Sequence, residues 1–547
     1  MRSIVLFALL LVLPAPASAA DPTVEIDRLL AATFKADRPG AAVLVVKDGK
    51  PLLRKGYGLA HVELGVPIRP DTVFRIGSIT KQFTAAAVLM LADQGKLSVG
   101  DEIGKHLPGY PTHGKRITIE HLLTHTSGIK SYTDMPAFMR DIRTDRTAEQ
   151  MLEVWKDEPL ERAPGERFAY SNSGYFLLGA IIEKVSGLSY ADFVEQRIFR
   201  PLGMTRSFYD RPTRIIPGRA AGYEEHGGEL LNAEYVSGTI PFAAGSLAST
   251  VDDLAIWDTA LGAGKVIRKA TLARMLTPYR VASGKSTDYG YGLFLGQLWG
   301  HRFRRHSGGI NGFQSDGLSL PDDRIYVAIL TNRLGAPDPG SLSTRIVALL
   351  LGQSIADPAA IRLDPKLLDD YAGTYDLEDG GLVTVRREGE TLTVQRTGGA
   401  RTPLKAAARD RFFVPEAMTT LRFERDATGK AIAMVRERMG ARERLPRSTR
   451  PAPRERVAVK LDPKRLDALV GEYELVPGFV LAVTREGDRL MTQATGQSRV
   501  EVFPESPTEF FLKVVDAQLS FVVGPGGKCD RLVLHQGGRD MPARRIK

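Results

Sequence analysis

The stretch SITKQFTAAAVLMLA, residues 78–92, decides the fold because it joins a reactive pair of side chains to a strongly apolar helix pattern. Ser78 and Lys81 stand three residues apart, so on a helix they lie one above the other on the same face. Residues 82–92 have the apolar, Ala-rich composition of a buried helix. The pair is therefore a candidate nucleophile and base at the start of a helix.

A second Ser-x-x-Lys occurs at residues 127–130. Gly128 lies inside it, and a polar stretch with Pro136 follows, so we predict no helix there. Without a helix, Ser127 and Lys130 do not share a face. The local context therefore selects Ser78 over Ser127 as the candidate nucleophile.

The composition limits the classes of protein that need to be considered. A chain of 547 residues is too long for one hydrophobic core, which predicts two or three domains. The net charge of +10 is spread along the chain, and the basic stretch at residues 436–456 also contains glutamates. No recognition motif accompanies that charge, so we expect no nucleic-acid partner.

Residues 1–20 are predicted to be a cleaved signal peptide. Arg2 supplies the positive charge, residues 4–13 are apolar but too short to span a bilayer, and Ala-Ser-Ala at residues 17–19 fits the cleavage pattern. We therefore expect a periplasmic or secreted protein without a stable membrane anchor. Cys529 is the only cysteine, which excludes an intrachain disulfide.

Residues 21–356 have strand patterns at both ends and helical patterns between them. The strand patterns cover residues 40–46, 52–59, 290–297, 302–306, 312–320 and 324–331. Helical patterns cover residues 23–35 and 342–351 and much of residues 103–258. This arrangement predicts an α+β fold whose antiparallel sheet comes from both ends of the region, with a helical region inserted.

Residues 363–547 contain an internal repeat. Leu-Asp-Pro-Lys at residues 363–366 recurs at residues 461–464, an offset of 461 − 363 = 98 residues, and the same offset carries Phe412-Phe413 onto Phe510-Phe511. Each copy begins with Asp and Pro at a helix start and continues as alternating strands with Gly turns. We predict two small closed antiparallel β-barrels, residues 363–447 and 461–547, joined by a linker at residues 448–460.

A Ser-x-x-Lys nucleophile needs partners, and Tyr170-Ser171-Asn172 offers two of them. A tyrosinate near a lysine ammonium can take a proton from Ser and pass it to a leaving group. The Asn172 amide can donate to a substrate carbonyl or accept from the lysine. We therefore assign Tyr170 as a candidate catalytic residue and Asn172 as a candidate substrate-binding residue.

The stretch His306-Ser307-Gly308-Gly309 offers further partners. It follows the strand expected at residues 302–305, and its glycines allow the backbone to approach a bound acyl group closely. The backbone N–H groups of Ser78 and Gly309 are candidates for an oxyanion hole. An ordinary Gly-rich hairpin turn with a surface histidine is the alternative interpretation.

The ordered motifs Ser-x-x-Lys, Tyr-x-Asn and His-x-Gly resemble the serine β-lactamase and penicillin-binding-protein superfamily, in its class C-like branch. The resemblance covers about residues 24–353 and includes the stretches at residues 74–78, 122–128 and 243–247. It implies that Ser78 is acylated, that Lys81 and Tyr170 share the acid and base work, and that Asn172 orients the substrate. It also implies that His306 and Gly309 lie on the strand that lines the cleft. By the same resemblance His306 is a candidate catalytic residue, and Gly308 and Gly309 are candidate substrate-binding residues.

One departure from that superfamily affects the expected substrate. His306 stands where β-lactamases and D,D-carboxypeptidases usually have the Lys that helps to bind a substrate carboxylate. A histidine is mostly neutral at pH 7. The resemblance therefore favours a peptidase or amidase acting on D-amino-acid peptides. The alternatives within the superfamily are a carboxylesterase and a β-lactamase or D,D-carboxypeptidase. A non-catalytic sensor that binds penicillin or muropeptides is a further alternative.

The C-terminal repeats resemble the lipocalin-like barrels of D-stereospecific aminopeptidases, in which extra barrels can narrow the catalytic cleft. Residues 476–479 are a candidate loop for that role, and a purely structural role of the barrels is the alternative. His121 and His125 are spaced i, i+4 but lack the glutamate of a zinc protease motif. We expect no metal and no cofactor, and the expected partner is a small peptide, amide or ester substrate.

Overall fold

The structure is a computed structural model that describes residues 21–547 except 136–141, 212, 227, 336, 379, 398, 453–455, 457, 477–478, 496–498, 514, 516, 525–526 and 537–538. The predicted signal peptide at residues 1–20 lies outside the described residues, as do Pro477 and Gly478 of the candidate cleft loop.

Helices α1 to α11 and strands β1 to β14 lie in residues 21–351. The helices are α1 (Pro22–Thr33), α2 (Thr80–Asp93), α3 (Ile103–His106), α4 (Ile119–Leu123), α5 (Ala148–Leu152), α6 (Asn172–Ser186), α7 (Tyr190–Val194), α8 (Arg200–Leu202), α9 (Val251–Gly262), α10 (Lys269–Met275) and α11 (Pro339–Leu350). The strands are β1 (Ala41–Lys47), β2 (Lys50–Tyr57), β3 (Leu59–His61), β4 (Val66–Pro67), β5 (Phe74–Arg75), β6 (Phe208–Tyr209), β7 (Tyr223–His226), β8 (Glu229–Asn232), β9 (Leu247–Ser249), β10 (Phe294–Leu298), β11 (His301–Ile310), β12 (Phe313–Leu320), β13 (Ile325–Thr331) and β14 (Arg333–Leu334). In the part of the chain that the structure describes, no helix has both the length and the apolar character needed to cross a membrane.

One antiparallel sheet joins the two ends of this region. Its strands lie in the order β10-β11-β12-β13-β1-β2. Ala41 pairs with Thr331 and Lys47 with Ile325, so strand β1 lies directly beside a strand almost three hundred positions later in the chain. The prediction of an α+β fold with a sheet built from both ends of the region is confirmed.

Strand β1 is buried on both faces and connects two apolar clusters. Ala41, Val43 and Val45 pack with residues of helices α1 and α11. Ala42 and Leu44 point the other way and pack with the helical region. Since successive side chains of a strand point to opposite faces, the apolar run AAVLVV holds together three layers, with the sheet in the middle.

Helix α2 lies in the centre of the helical layer. Every residue from 80 to 89 is buried, which explains why the helix has no polar face. The Phe83 ring stacks on Trp257 with 4.1 Å between ring centroids. The burial of this helix fixes the position of the reactive pair at its start.

The two repeats form two eight-stranded antiparallel sheets. The first has helix α12 (Pro365–Leu368) and strands β15 (Gly373–Asp376), β16 (Leu382–Glu388), β17 (Thr391–Arg396), β18 (Thr402–Ala408), β19 (Arg411–Val414), β20 (Thr419–Arg425), β21 (Ala431–Arg438) and β22 (Ala441–Pro446). The second has helix α13 (Pro463–Asp467) and strands β23 (Gly471–Val476), β24 (Phe479–Glu486), β25 (Arg489–Ala494), β26 (Val500–Pro504), β27 (Glu509–Phe511), β28 (Ala517–Val523), β29 (Cys529–Gln536) and β30 (Arg539–Arg545). In both copies the strands follow one another in sequence order.

The second repeat is a closed barrel, whereas the first is nearly closed. Strand β23 pairs with β30 through Tyr473–Arg545 and Glu474–Arg544. In the first repeat the corresponding contact is a single bridge between Tyr375 and Arg447. Pro446 occupies the position of Arg544 and has no N–H to donate to a ladder. The prediction of closure is therefore correct for the second copy and needs this correction for the first.

The first repeat contacts the sheet of residues 21–351 at one edge. The backbone N–H of Trp299, in the turn between β10 and β11, donates to the Met439 carbonyl at 2.8 Å. Met439 packs against the apolar cluster under that face of the sheet. A Cβ at Gly440 would lie 2.5 Å from the Trp299 Cα, so this contact requires glycine there.

A buried ion pair near the nucleophile leads to the first prediction. Arg75 and Asp210 are 2.8 Å apart with side chains 10% and 7% exposed. Asp210→Ala leaves the buried guanidinium without this carboxylate, and we expect a loss of about 3–5 kcal/mol in the free energy of unfolding. Denaturant unfolding followed by tryptophan fluorescence measures it, because Trp155, Trp257 and Trp299 all lie in the catalytic region.

The matched control is Asp252→Ala, which breaks the exposed pair with Arg54 (side chains 32% and 46% exposed). An exposed pair contributes about 1 kcal/mol or less. Equal losses in the two variants would contradict the argument that burial makes Arg75–Asp210 important.

Candidate active site

Ser78 lies in a 3-10 turn, Gly77–Ile79, between the short strand β5 and helix α2. Gly77 has a φ of +50°, and a Cβ there would lie 2.8 Å from the backbone nitrogen of Gly309. The turn therefore presses directly against strand β11. Ser78 remains partly exposed while its neighbours Gly77 and Ile79 are buried, so its hydroxyl is accessible from one side only.

The Lys81 side chain is fully buried and has three oxygen neighbours. Its Nζ lies 2.9 Å from Ser78 Oγ, 2.8 Å from Asn172 Oδ1 and 2.8 Å from the Ala244 carbonyl. Burial holds the pKa of the Lys81 amine well below its usual range. A neutral amine can donate to the amide and carbonyl oxygens, and its lone pair then faces Ser78, as a general base requires.

Tyr170 completes the reactive cluster. Lys81 Nζ lies 4.8 Å from its ring centroid. Burial raises the pKa of the Tyr170 hydroxyl above its ordinary value, and the nearby Ser78 side chain opposes that only in part. The protonated phenol is therefore the resting form, which favours a proton donor rather than the tyrosinate considered from the sequence.

Asn172 is the first residue of helix α6, and Ser171 caps that helix by accepting from the Gly174 N–H. Asn172 Nδ2 donates to Thr133 Oγ1 at 3.0 Å, and its backbone N–H donates to Ser131 Oγ at 3.0 Å. With Oδ1 bound to Lys81, the Asn172 side chain is held at both ends. It positions Lys81 and also lines the cleft.

Strand β11 contains His306 and Gly309 and continues to Ile310, beyond the end of the strand pattern at residues 302–306. The His306 side chain is buried, with Nδ1 donating to the Ser307 carbonyl at 2.6 Å and Nε2 3.1 Å from the Tyr289 hydroxyl. Burial lowers its pKa to about 3. His306 is thus a buried, neutral residue whose ring lies 6.3 Å from that of Tyr170 between centroids. It is not among the described residues that line the cleft.

Gly308 and Gly309 have different surroundings. A Cβ at Gly308 would lie 2.0 Å from the Ile76 carbonyl oxygen and 2.4 Å from Ser315 Oγ, so its absent side chain allows the strand to touch the nucleophile turn. A Cβ at Gly309 would have nothing within 4 Å, and Gly309 lines the cleft. Of the two, only Gly309 is placed to contact a substrate.

The cleft in front of Ser78 has a volume of about 150 Å³. Among the residues that the structure describes, none of those that line it has a charged side chain; they are Gly77, Ser78, Tyr132, Thr133, Ile142, Asn172, Val236, Ile240, Pro241, Ala244, Gly245, Gly309, Ile310 and Asn311. The cleft is therefore suited to an uncharged or weakly polar group next to the scissile bond.

Sequence reasoning missed two contributors to the site. The Ala244 carbonyl binds Lys81, and its only signal was the stretch at residues 243–247. His125 is buried, accepts from the Ser171 N–H at 3.1 Å and lies 4.2 Å from the Tyr170 ring between centroids. Its Nδ1 holds the Ser171 N–H in place, and its ring packs against that of Tyr170.

The rejected motifs have other roles. Ser127 and Lys130 lie outside any helix, and Lys130 pairs with Glu158 at 2.7 Å. His121 caps the start of helix α4, where its Nδ1 accepts from the Thr118 N–H. The residues that the structure describes contain no cluster of three metal-binding side chains.

The fold and the Ser78–Lys81–Tyr170 cluster place the protein among the serine hydrolases that use a Ser-x-x-Lys pair. The chain belongs to the Beta-lactamase family, whose model matches residues 26–351. Residues 357–444 and 455–545 each match the domain of unknown function DUF3471. The two matches to one domain agree with the internal repeat.

The chain is similar to several proteins with related names. Penicillin-binding protein 4* of Bacillus subtilis (strain 168) is 31% identical over 396 residues, covering 68% of this chain and 87% of the relative. The D-aminopeptidase of Gluconobacter oxydans (strain 621H) is 29% identical over 354 residues, covering 63% of this chain and 64% of the relative. This second relative thus extends well beyond the matched part.

Solved structures show the same architecture. The octameric penicillin-binding protein homologue from Pyrococcus abyssi has a TM-score of 0.55 and 25% identity, covering 87% of this chain and 98% of the homologue. A D-stereospecific amidohydrolase from Streptomyces sp. has a TM-score of 0.52 and 27% identity, covering 61% of this chain and 99% of that enzyme.

The surroundings of Lys81 predict a pH dependence. Its amine acts as a base only when neutral, so acylation of Ser78 should be fast above the lowered pKa of Lys81 and decline as the pH falls through it. The measurement is the rate of fluorophosphonate labelling across pH. His306→Gln should keep the same profile, since His306 is neutral above pH of about 3. A rate that rises only in the ordinary lysine range, near pH 10, would refute the depressed pKa.

Alanine substitutions at the two glycines of strand β11 should differ in their effect on stability. Gly308→Ala places a methyl group against the Ile76 carbonyl, and we expect a loss of about 1–3 kcal/mol in stability together with slower labelling of Ser78. Gly309→Ala meets open space and should leave stability unchanged. Thermal unfolding and labelling rates test both variants, and a Gly308→Ala protein as stable as Gly309→Ala would show that the close approach is unimportant.

Proposed function

We propose that this protein is a serine hydrolase that forms an acyl-enzyme on Ser78 and cleaves amide bonds next to D-amino acids. The observation that carries the proposal is the buried Lys81 amine, held 2.9 Å from a partly exposed Ser78 hydroxyl that also contacts Tyr170. This geometry supplies a nucleophile, a base and a proton donor at one cleft.

In the proposed reaction, Lys81 takes the Ser78 proton while Oγ attacks the substrate carbonyl carbon. The carbonyl becomes an oxyanion that the backbone N–H groups of Ser78 and Gly309 stabilise. Tyr170 donates its proton to the leaving nitrogen, the C–N bond breaks, and the proton held by Lys81 restores the Tyr170 hydroxyl. Water then attacks the Ser78 ester with the same groups, which releases the acid and regenerates the serine.

The relatives support the substrate class. One is a D-aminopeptidase at 29% identity, and one solved relative is a D-stereospecific amidohydrolase at 27% identity. The cleft supports the same choice against carboxylate-bearing substrates, because His306 is buried and neutral where a β-lactamase or D,D-carboxypeptidase usually has a lysine. β-Lactam hydrolysis and D,D-carboxypeptidase activity are therefore disfavoured.

Ester hydrolysis is the second candidate function. The uncharged side chains of the described cleft residues favour it, since a free substrate ammonium would find no carboxylate among them. A non-catalytic penicillin or muropeptide sensor is less well supported, because the base and the proton donor both remain in contact with Ser78. We further propose that the protein is exported, on the basis of the pattern of residues 1–20.

Ser78→Ala tests the acyl-enzyme. We expect loss of turnover and of covalent labelling by a fluorophosphonate, because the attacking oxygen is removed. Ser127→Ala, which alters the other Ser-x-x-Lys, should retain both. Intact hydrolysis by a correctly folded Ser78→Ala protein would refute the proposed function.

A substrate panel separates the candidates. D-alanine p-nitroanilide should be cleaved faster than L-alanine p-nitroanilide. When each enzymatic rate is divided by the rate of spontaneous hydrolysis, D-alanine p-nitroanilide should also exceed p-nitrophenyl acetate. Preference for the acetate ester without stereoselectivity would favour the esterase. Rapid turnover of a chromogenic cephalosporin without amidase activity would favour a β-lactamase.

A further inference from the structure

The second repeat encloses a large apolar cavity that lies outside the catalytic region. Its volume is about 620 Å³, within the usual range of ligand pockets. The described residues of its walls come mainly from seven strands, and most are apolar, among them Leu481, Leu519, Leu534 and Met541. Val476 and Val515 stand at the cavity with 43% and 38% of their surface exposed. Apolar surface of this kind in a soluble domain commonly marks a binding site.

The two repeats share part of their packing. Both copies pack one half of the barrel in the same way, with Tyr375, Leu421 and Phe423 in the first and Tyr473, Leu519 and Phe521 in the second. Each of these pairs is separated by the repeat offset of 98 positions. These shared residues belong to the packed core of both copies, and in the second copy Leu519 also forms part of the cavity wall.

The other half differs in chemistry. On strands β21 and β22 of the first copy, Arg436 lies opposite Glu443, and the two form an ion pair. The corresponding residues of the second copy, Leu534 and Met541, lie opposite each other in the same register. The second copy thus presents two apolar side chains where the first has a charge pair, and both of them line the cavity.

One polar group points to the nature of the occupant. The Thr492 side chain lines the cavity, is 3% exposed, and its Oγ1 has no hydrogen-bond partner among the described residues. A buried hydroxyl without a partner is costly, and a ligand oxygen or nitrogen would supply the missing bond. The first copy has Val394 at this position.

From these observations we propose that the second barrel binds an apolar molecule the size of a single long alkyl or acyl chain, with one hydrogen-bonding group that meets Thr492. Binding uses the barrel interior and is separate from acylation of Ser78. The driving force is the transfer of the chain from water to a preformed apolar cavity.

The test uses the full-length protein and the fluorescent apolar probe N-phenyl-1-naphthylamine, with 1-dodecanol as competitor. We expect saturable binding of one probe per chain and displacement by dodecanol. Prior labelling of Ser78 with a fluorophosphonate should leave this binding unchanged. Binding that disappears on labelling would assign the probe to the catalytic cleft and overturn the proposal.

Variants locate the site. The double substitution Leu534→Arg and Met541→Glu copies the charge pair of the first barrel and should weaken probe binding at least tenfold, whereas Val522→Arg, at an exposed position of the same barrel, should not. Ala517→Phe fills the cavity without adding charge and should also weaken probe binding. It therefore tests the site if the double variant fails to fold. Unaltered binding by a folded cavity variant would refute the proposal.

Thr492→Val tests the polar contact. Removing one hydrogen bond should weaken dodecanol binding about fivefold, the change expected for roughly 1 kcal/mol. An unchanged dodecanol affinity would refute the role of Thr492 in the proposed site.

Discussion

The Lys81 amine is kept away from water while the neighbouring Ser78 hydroxyl stays open to the cleft, and the rest of the catalytic region is arranged around that requirement. Desolvation lowers the pKa of the amine, and the Asn172 and Ala244 oxygens replace the water it has lost. These two oxygens come from separate parts of the chain. Burial of helix α2 on all sides is what allows them to converge on one nitrogen.

Strand β11 of the sheet packs directly against the turn that carries Ser78. Strand β11 touches the nucleophile turn because Gly308 has no side chain to separate it from the Ile76 carbonyl, and Ser315 Oγ donates to that same carbonyl at 2.8 Å. Gly77 allows the same approach from the other side. The edge of the cleft is therefore set by backbone-to-backbone packing, which leaves Gly309 free to face a substrate.

The two C-terminal repeats show how one fold can diverge within a chain. Their shared half preserves a tyrosine whose hydroxyl donates to a backbone carbonyl four residues earlier, Tyr375 to Tyr371 and Tyr473 to Leu469, both at 2.8 Å. Their other half exchanges an Arg–Glu pair for Leu and Met. A barrel tolerates this exchange because the strand register and the packed half remain unchanged.

The sequence by itself determined the reactive pair at Ser78 and Lys81, the α+β pattern and the repeat, because each is local or periodic and can be read from residue spacing. It did not determine how far the strand that begins near residue 302 extends, since Gly308 and Gly309 disfavour a strand until neighbouring strands and the Ile76 turn enclose them. Nor did it place His306 against Tyr289 and Tyr170, or His125 against Tyr170. Only the tertiary structure decided these positions, because burial and its effect on each pKa depend on contacts between residues far apart in the chain.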